Sequence, residues 1–180
     1  MRLFPTRHAD VKTMVFVDGE NLAIRYGKER ANRGAVFVSA VRYEPSVYVW
    51  STKLNNECTT NAKTIRKHYY TSVQGDRVAV DKIVDALREA GIEHPSVFQK
   101  KGGQRSKRVD ISLATDMLLH ACRRDYETAV LIAGDEDYVP LVEAVKDTGC
   151  RVFVWFLENG MSDPLRRAAD RFANIEQYLF

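Results

Sequence analysis

The chain has 180 residues, which suits one domain with a buried core. Its hydrophobic content of 45% and charged content of 28% are typical of a soluble globular protein, and a formal charge of +3 does not by itself indicate a nucleic-acid partner. No apolar run is long enough to cross a bilayer and the N-terminus lacks a signal-peptide core, so we expect a cytoplasmic location. Cys58, Cys122 and Cys150 form no CxxC unit and are expected to be reduced thiols.

The first half of the chain predicts alternating strands and helices around one segment without a clear pattern. Residues 1–12 have no hydrophobic period and are predicted to form a loose arm. A short β-branched run at 13–17 predicts a strand, and a helix is predicted at 22–30. Residues 31–56 are interpreted as an insertion that could form a flap or a partner surface, with a strand near Val47 to Trp50. The elements predicted next are a helix at 58–67, a strand at 68–73 and a helix at 77–90.

The second half continues the alternation. A brief strand at 96–99 leads into a basic loop at 100–108, KKGGQRSKR. The predicted elements after this loop are a helix at 110–124, a buried strand at 128–133, a helix at 139–147, a strand at 150–157 and a last amphipathic helix that starts at Ser162-Asp163-Pro164 and continues to Leu179. The alternation predicts an α/β fold, a three-layer Rossmann-like domain with a mainly parallel central sheet flanked by helices.

Acidic residues lie where two of these strands end and where one helix begins. Asp18 ends the first strand, Asp135 and Asp137 follow the strand at 128–133, and Asp110 starts a helix. Ligands bind at the carboxyl edge of an open α/β sheet, so we expect these acids to converge there. Carboxylates brought together repel one another unless cations lie between them, and Mg²⁺ or Mn²⁺ suits such oxygen ligands. The pattern therefore indicates phosphodiester hydrolysis by a metal-activated water.

Each of these acids also has a simpler interpretation. Asp18 could form a turn, Asp110 could cap its helix, and Asp137 could cap the helix that follows it. A helical wheel places Asp110 at the edge of a predicted buried stripe and Asp116 on the polar side, where it would be solvated. The stripe consists of Ile111, Ala114, Leu118, Ala121 and Cys122. Asn21 could fix a ligand or water, or bond to its own turn.

The basic loop places cationic charge directly before Asp110. Its five basic residues are Lys100, Lys101, Arg105, Lys107 and Arg108. Such charge suits a phosphate backbone, with Lys107 the preferred single contact, although a solvated surface loop would have the same composition. Tyr69 and Tyr70 could stack on single-stranded bases or belong to the core.

Three separated segments resemble one known family. FVDGENL (16–22), KRVDISLATDML (107–118) and LIAGDEDYVPLVEAVKDTGCRV (131–152) are similar to the NYN domain, the LabA-like branch of the PIN-like nucleases. The resemblance implies a PIN-type sheet and a ribonuclease that uses Mg²⁺ or Mn²⁺. The metal acids carried over by the resemblance are Asp18, Asp110, Asp135 and Asp137.

The resemblance also covers neighbouring residues. Asn21 matches the asparagine after the first acid, Lys107 the lysine before the second, and Asp116 a further common acid. The usual Ser-Gly-Asp-x-Asp-Phe is changed at Ala133 and Tyr138.

The leading hypothesis is a metal-dependent endoribonuclease acting on RNA. The alternative is a non-catalytic RNA-binding regulatory module with a vestigial acidic site. A Toprim-type enzyme also uses Asp-x-Asp after a strand, but it requires glutamate where this chain has Asp18. A homodimer is a further hypothesis, because Tyr178 and Phe180 could pack in a dimer or back on the domain.

Overall fold

In the computed structural model, residues 8–34, 38–100 and 107–180 are described. The strands of the main sheet are β1 (His8–Asp18), β4 (Ala62–Gln74), β5 (His94–Lys100), β6 (Thr128–Ile132), β7 (Arg151–Phe156) and β8 (Arg171–Asn174). A separate hairpin consists of β2 (Val41–Glu44) and β3 (Tyr48–Ser51). The helices are α1 (Gly19–Asn32), α2 (Thr52–Asn61), α3 (Arg77–Glu89), α4 (Lys107–Cys122), α5 (Val139–Asp147), α6 (Asp163–Ala168) and α7 (Glu176–Leu179), and a 3-10 turn spans Glu136–Tyr138.

The main sheet has the order β5-β4-β1-β6-β7-β8, and all its strand pairs are parallel. The chain adds β4 and β5 on one side of β1 and then returns to add β6, β7 and β8 on the other. The direction of winding therefore reverses between β1 and β6, where open α/β sheets bind ligands. Val17 pairs with Ile132, so the carboxyl ends of these two strands lie side by side. The predicted α/β fold is confirmed as an all-parallel Rossmann-type sheet.

Helices cover both faces of this sheet. Side chains alternate along β1, so that Val15 and Val17 pack with α1, α3, α7 and the hairpin. Met14 and Phe16 pack on the opposite face with α4, α5 and α6. Both faces of β6 are buried, which explains its uninterrupted apolar sequence. The predicted bounds of α5, 139–147, are confirmed, with Pro140 in its first turn.

Two predictions in the first half were wrong. Strand β1 already begins at His8, so residues 8–12 of the predicted loose arm are extended, while 1–7 lie outside the described residues. The helix predicted at 58–67 ends at Asn61, and the chain is extended from Ala62 onward. Parallel pairing with β1 at the centre of the sheet overrides the local helical preference of this segment.

The β2–β3 hairpin, which lies within 31–56, packs on the core and does not stand free as a flap. Tyr48, Val49 and Trp50 are buried. The Tyr69 hydroxyl donates to the carbonyl oxygen of Val49 at 3.0 Å and accepts from its N–H at 3.1 Å. Tyr69 and Tyr70 are both fully buried, so they belong to the core and are not a base-stacking surface. That 31–56 is an insertion stays a prediction.

The last predicted helix was wrong beyond Ala168. Ala169 is extended, residues Arg171–Asn174 form β8, and only Glu176–Leu179 is helical again. Strand β8 pairs with β7 and forms hydrogen bonds with backbone groups of β7 that would otherwise be exposed at the edge of the sheet. Phe180 stacks on Tyr26 with ring centroids 4.9 Å apart, so the terminal aromatic ring packs back on the domain.

The three cysteines form no disulfide, in agreement with the sequence. Among the described residues, no helix is both long and apolar enough to cross a membrane.

Candidate active site

Asp18 is held at the junction of β1 and α1. Its Oδ1 accepts a hydrogen bond of 3.0 Å from the N–H of Asn21, which caps α1, and its side chain is fully buried. The next residue must be small, because a Cβ at Gly19 would lie 1.9 Å from the ring of Tyr69. The sequence Asp-Gly thus fixes the carboxylate at the end of the strand.

The end of β6 is joined to the same junction. The N–H of Gly134 donates to Oδ1 of Asn21 at 3.2 Å, which connects the carboxyl ends of β1 and β6. A Cβ at Gly134 would lie 2.3 Å from the Phe156 ring and 2.4 Å from the carbonyl oxygen of Gly160, so this position also requires glycine. Asn21 therefore holds the backbone at the ends of β1 and β6 together.

Asp135 and Asp137 have different surroundings. Oδ1 of Asp135 accepts from the N–H of Asp137 at 3.3 Å, so Asp135 is the residue that caps the 3-10 turn. Asp135 is half-buried and Asp137 is exposed. The alternative in which Asp137 caps the next helix was wrong, because the N-cap position of α5 is Tyr138, whose side chain makes no capping bond to the helix.

The hydroxyl of Tyr138 lies between two of the acids. It donates to Oδ2 of Asp18 at 3.0 Å and also contacts Oδ1 of Asp110 at 3.3 Å. A tyrosine hydroxyl has one proton, so these two carboxylates share a single donor. The sequence singled out Tyr138 only as a departure from a usual phenylalanine, and this bridge was missed.

Asp110, Asp135 and Asp137 line one cavity of about 480 Å³ between α4 and α5. A second cavity, of about 350 Å³, has Asp135, Glu136, Asn21 and Arg25 in its lining. Asp135 borders both cavities and so lies at the centre of the site. Arg25 could not be selected from the sequence, since only tertiary folding brings α1 beside the end of β6.

The helical wheel placed the buried stripe of α4 wrongly. The buried residues are Val109, Leu113, Met117 and Ala121, so only Ala121 was predicted correctly. Ile111 is 64% exposed, Cys122 is exposed, and Ala114 and Leu118 are half-buried. Helix α4 has two apolar stripes, and the wheel selected the one that lines the cavity.

Asp116 lies apart from the other acids. The Tyr70 hydroxyl donates to its Oδ2 at 2.8 Å, and the carboxylate is half-buried, so the predicted solvated position was wrong. Burial and this bond raise the pKa of Tyr70. Asp116 is absent from the lining of both cavities, and its supporting role stays a prediction.

The predicted phosphate-binding cations fall into three groups. Lys107 and Arg108 are exposed in the first turn of α4, near Asp110. Lys100 instead forms an ion pair with Glu20. Lys101 and Arg105 lie outside the described residues.

Glu20 is a further residue that the sequence did not select. Its exposure is only 2%, and its second oxygen accepts a bond of 2.7 Å from the hydroxyl of Ser72. Glu20 and Ala23 are both buried on α1, and this i, i+3 spacing could have indicated that Glu20 faces the sheet.

Carboxylate oxygens suit a divalent cation, so the donor types at this edge fit Mg²⁺ or Mn²⁺. Within residues 8–34, 38–100 and 107–180, no group of three or more His, Cys, Asp or Glu side chains is already arranged to hold an ion. Asp110, Asp135 and Asp137 face the same cavity, so their side chains would have to move toward one another to share a cation.

A doubly wound parallel sheet with carboxylates at its switch point is typical of a PIN-like nuclease domain. The profile of the NYN domain matches residues 12–176, and the chain belongs to this family, which is of nuclease type and whose PIN-like members usually use divalent metals. A crystal structure of a protein of unknown function from Vibrio parahaemolyticus is similar, with a TM-score of 0.65, 22% identity and coverage of 96% of each chain. That similarity supports the fold alone. No curated protein sequence matches the chain significantly.

Proposed function

We propose that this protein is a divalent-metal-dependent endoribonuclease that hydrolyses RNA with Mg²⁺ or Mn²⁺. The observation that carries the proposal is the convergence of four acids at the switch point of the sheet. Asp18 and Asp110 share the Tyr138 hydroxyl, and Asp110 lines one cavity with Asp135 and Asp137. Membership of a nuclease-type family supports the same reaction.

In this proposal Asp110, Asp135 and Asp137 hold the cation, with Asp18 behind them. The cation would activate a water and offset the charge of the scissile phosphate. Asn21 keeps the ends of β1 and β6 together through its bond to Gly134, which positions Asp135. The two exposed cations at the start of α4, Lys107 and Arg108, bind the phosphates beside the scissile bond.

The remaining predicted cations have different parts in this proposal. Lys100 supports the site by pairing with Glu20, and the predicted contacts of Lys101 and Arg105 with RNA concern residues outside the described part of the chain.

The test compares Asp18→Asn and Asp135→Asn with the wild-type protein on labelled RNA and DNA, in Mg²⁺, Mn²⁺ or EDTA. We expect Asp135→Asn to lower metal-dependent RNA cleavage by about 100-fold or more, because it removes a ligand charge. Asp18→Asn should lower it by about 10- to 100-fold, because Asp18 lies behind the ligands. Asp147→Asn is the matched control, since Asp147 is an exposed acid at the end of α5. Urea unfolding verifies that the variants fold, and full activity in both site variants contradicts the proposal.

One observation favours a second candidate, a non-catalytic RNA-binding module. No described set of three ligands is preformed, and a tyrosine hydroxyl occupies the space between two of the acids. This candidate predicts RNA binding without turnover in any metal, unchanged affinity in Asp18→Asn and Asp135→Asn, and weakened binding in a Lys107→Ala/Arg108→Ala variant. Cleavage that requires the aspartates excludes it.

A further inference from the structure

We propose that the cavity between α4 and α5 is a base-binding subsite, which takes the nucleobase of the RNA nucleotide beside the phosphate held at the acids. The proposal rests on the proposed function, since it assigns a place to part of the same substrate. The expected occupant of the cavity is therefore a flat, largely apolar ring that is joined to a charged backbone.

The first argument is the second apolar stripe of α4. Ile111, Ala114 and Leu118 follow the i, i+3, i+7 spacing of one helical face, and all three line the cavity. This face differs from the buried stripe of Val109, Leu113, Met117 and Ala121, although Ala114 and Leu118 also pack in part against the same core. Ile111 is 64% exposed, and together with the other apolar residues of the lining it forms a continuous apolar surface beside the acids.

The second argument is the opposite wall. Helix α5 contributes Pro140, Leu141 and Ala144, so apolar side chains line both sides. The small side chains of Ala114 and Ala144 leave space between the two helices. The volume of about 480 Å³ falls within the range of pockets that hold small organic ligands.

The third argument is the position of the acids. Asp110, Asp135 and Asp137 line the same cavity as the apolar side chains, so its occupant would combine an apolar group with a group that reaches a cation. Asp135 also borders the second cavity, where Arg25 and Asn21 offer polar contacts. A nucleotide meets both demands, with its phosphate on the polar side of Asp135 and its base on the apolar side.

The chemistry of the walls predicts little choice between bases. Aliphatic walls favour any base through buried apolar area, and they carry no pattern of hydrogen-bonding groups that would distinguish one base from another. The lining contains two uncharged polar side chains, Thr115 and Tyr138. The Tyr138 hydroxyl already contacts Asp18 and Asp110, which leaves Thr115 to contact a base. The subsite would therefore add affinity for bases in general.

The experiment measures binding of two charge-matched probes in EDTA, so that no cleavage occurs. One probe is an oligouridine dodecamer, and the other is a dodecamer with the same sugar-phosphate backbone and no bases. We expect the wild-type protein to bind the oligouridine about tenfold more tightly, because only this probe can bury a base against the apolar walls of the cavity. Ile111→Ser, and Ala114→Phe, which fills the cavity, should reduce this preference to less than about twofold.

Two matched controls lie outside the cavity. Val78 on α3 is 73% exposed and Leu119 on α4 is 41% exposed, and neither is in the lining. Val78→Ser and Leu119→Ser should keep the preference for the oligouridine. A shared loss in all four variants would mean that surface apolarity in general is responsible, which overturns the proposal.

Three further outcomes also overturn it. One is equal affinity of the wild-type protein for the two probes, and another is an unchanged preference in Ile111→Ser and Ala114→Phe. The last is a wild-type dimer, seen by sedimentation, that Ile111→Ser dissociates, because the face would then be an interface between copies. Failure of the proposed function would give a different result. RNA would not be cleaved in Mg²⁺ or Mn²⁺, while the preference for the oligouridine probe would remain.

Discussion

At the scale of single residues, Tyr138 differs from phenylalanine by one oxygen atom, and that atom joins two carboxylates. Asp18 is fully buried, where a charge is costly unless donors surround it. The Tyr138 hydroxyl supplies one of these donors at 3.0 Å and reduces the repulsion between Asp18 and Asp110. A bound cation would reduce the same repulsion, so the hydroxyl and a cation are expected to substitute for each other in part.

Tyr138→Phe should therefore destabilise the metal-free protein by about 1–3 kcal/mol and increase the stabilisation gained from Mg²⁺. The measurement is urea unfolding in EDTA and in Mg²⁺. Tyr126→Phe is the matched control, because the Tyr126 hydroxyl donates to the carbonyl oxygen of Met117 in the core, at 2.7 Å. The control should lose a similar stability without a change in its response to Mg²⁺. An equal response to Mg²⁺ in both variants would contradict this account.

Two lysines at the ends of the basic loop are expected to separate stability from binding. Lys100 pairs with Glu20, which is almost fully buried, whereas Lys107 is exposed. Lys100→Ala should lower the free energy of unfolding by about 2–4 kcal/mol, since it leaves a buried carboxylate without its cation. Lys107→Ala should change it by less than about 0.5 kcal/mol.

RNA binding should show the opposite order. Lys107→Ala should weaken affinity and flatten the logarithmic salt dependence by about 0.7, the value for one phosphate contact on a single strand, whereas Lys100→Ala should keep the wild-type slope. Binding titrations at several salt concentrations measure both slopes. A flatter slope and unchanged stability in Lys100→Ala would contradict this prediction, because Lys100 would then bind RNA in solution and not pair with Glu20.

At the scale of elements, the sequence was sufficient where the signals were local. Helix α5 is bounded by Pro140 near its start and Gly149 after its end, and the structure has the predicted bounds. The carboxyl-end rule also placed Asp18 and Asp135 correctly, because parallel strands all end at one edge.

The wrong predictions have a common physical cause, which is long-range pairing. Residues 171–174 have helical spacing with their neighbours, yet they pair with β7 because a sheet edge offers hydrogen bonds that a helix would not satisfy. In α4, the pattern contains two apolar faces, and a wheel cannot decide which of them meets the sheet. The contact between Tyr138 and Asp18 spans 120 residues, and no local pattern encodes such a distance in sequence.

At the scale of the whole molecule, a second cluster of titratable groups lies on the sheet apart from the acids. The ring of His68 on β4 is stacked on Phe16 at 5.2 Å and on His94, the first residue of β5, at 4.8 Å. His120 of α4 lies 5.3 Å away. Nε2 of His68 is buried, and no described group bonds to it. His94 is at the opposite end of β5 from Lys100, and Asp116 is the acid whose charge acts on His68, favouring its charged form.

This environment disfavours a charged His68. Burial, followed by the charges of His94 and His120, lowers its pKa from the usual value near 6.5 to about 4. The unfolded chain therefore binds a proton between about pH 6.5 and pH 4 that the folded protein does not bind. Because protons favour the state that binds them, the free energy of unfolding must fall as the pH is lowered through this window. Above about pH 6.5, the full contribution of the neutral His68 to the free energy of unfolding is present.

We therefore expect acidification from pH 7 to about pH 4 to remove on the order of 2 kcal/mol of stability through His68. His68→Phe should remove this part of the pH dependence, because a phenyl ring can stack on Phe16 and His94 without binding a proton. Urea unfolding of both proteins across this pH range measures the difference, and parallel curves would contradict the assignment. His68 lines neither cavity, so the substitution should leave RNA cleavage at neutral pH unchanged, and loss of stability in acid can be separated from titration of the active site.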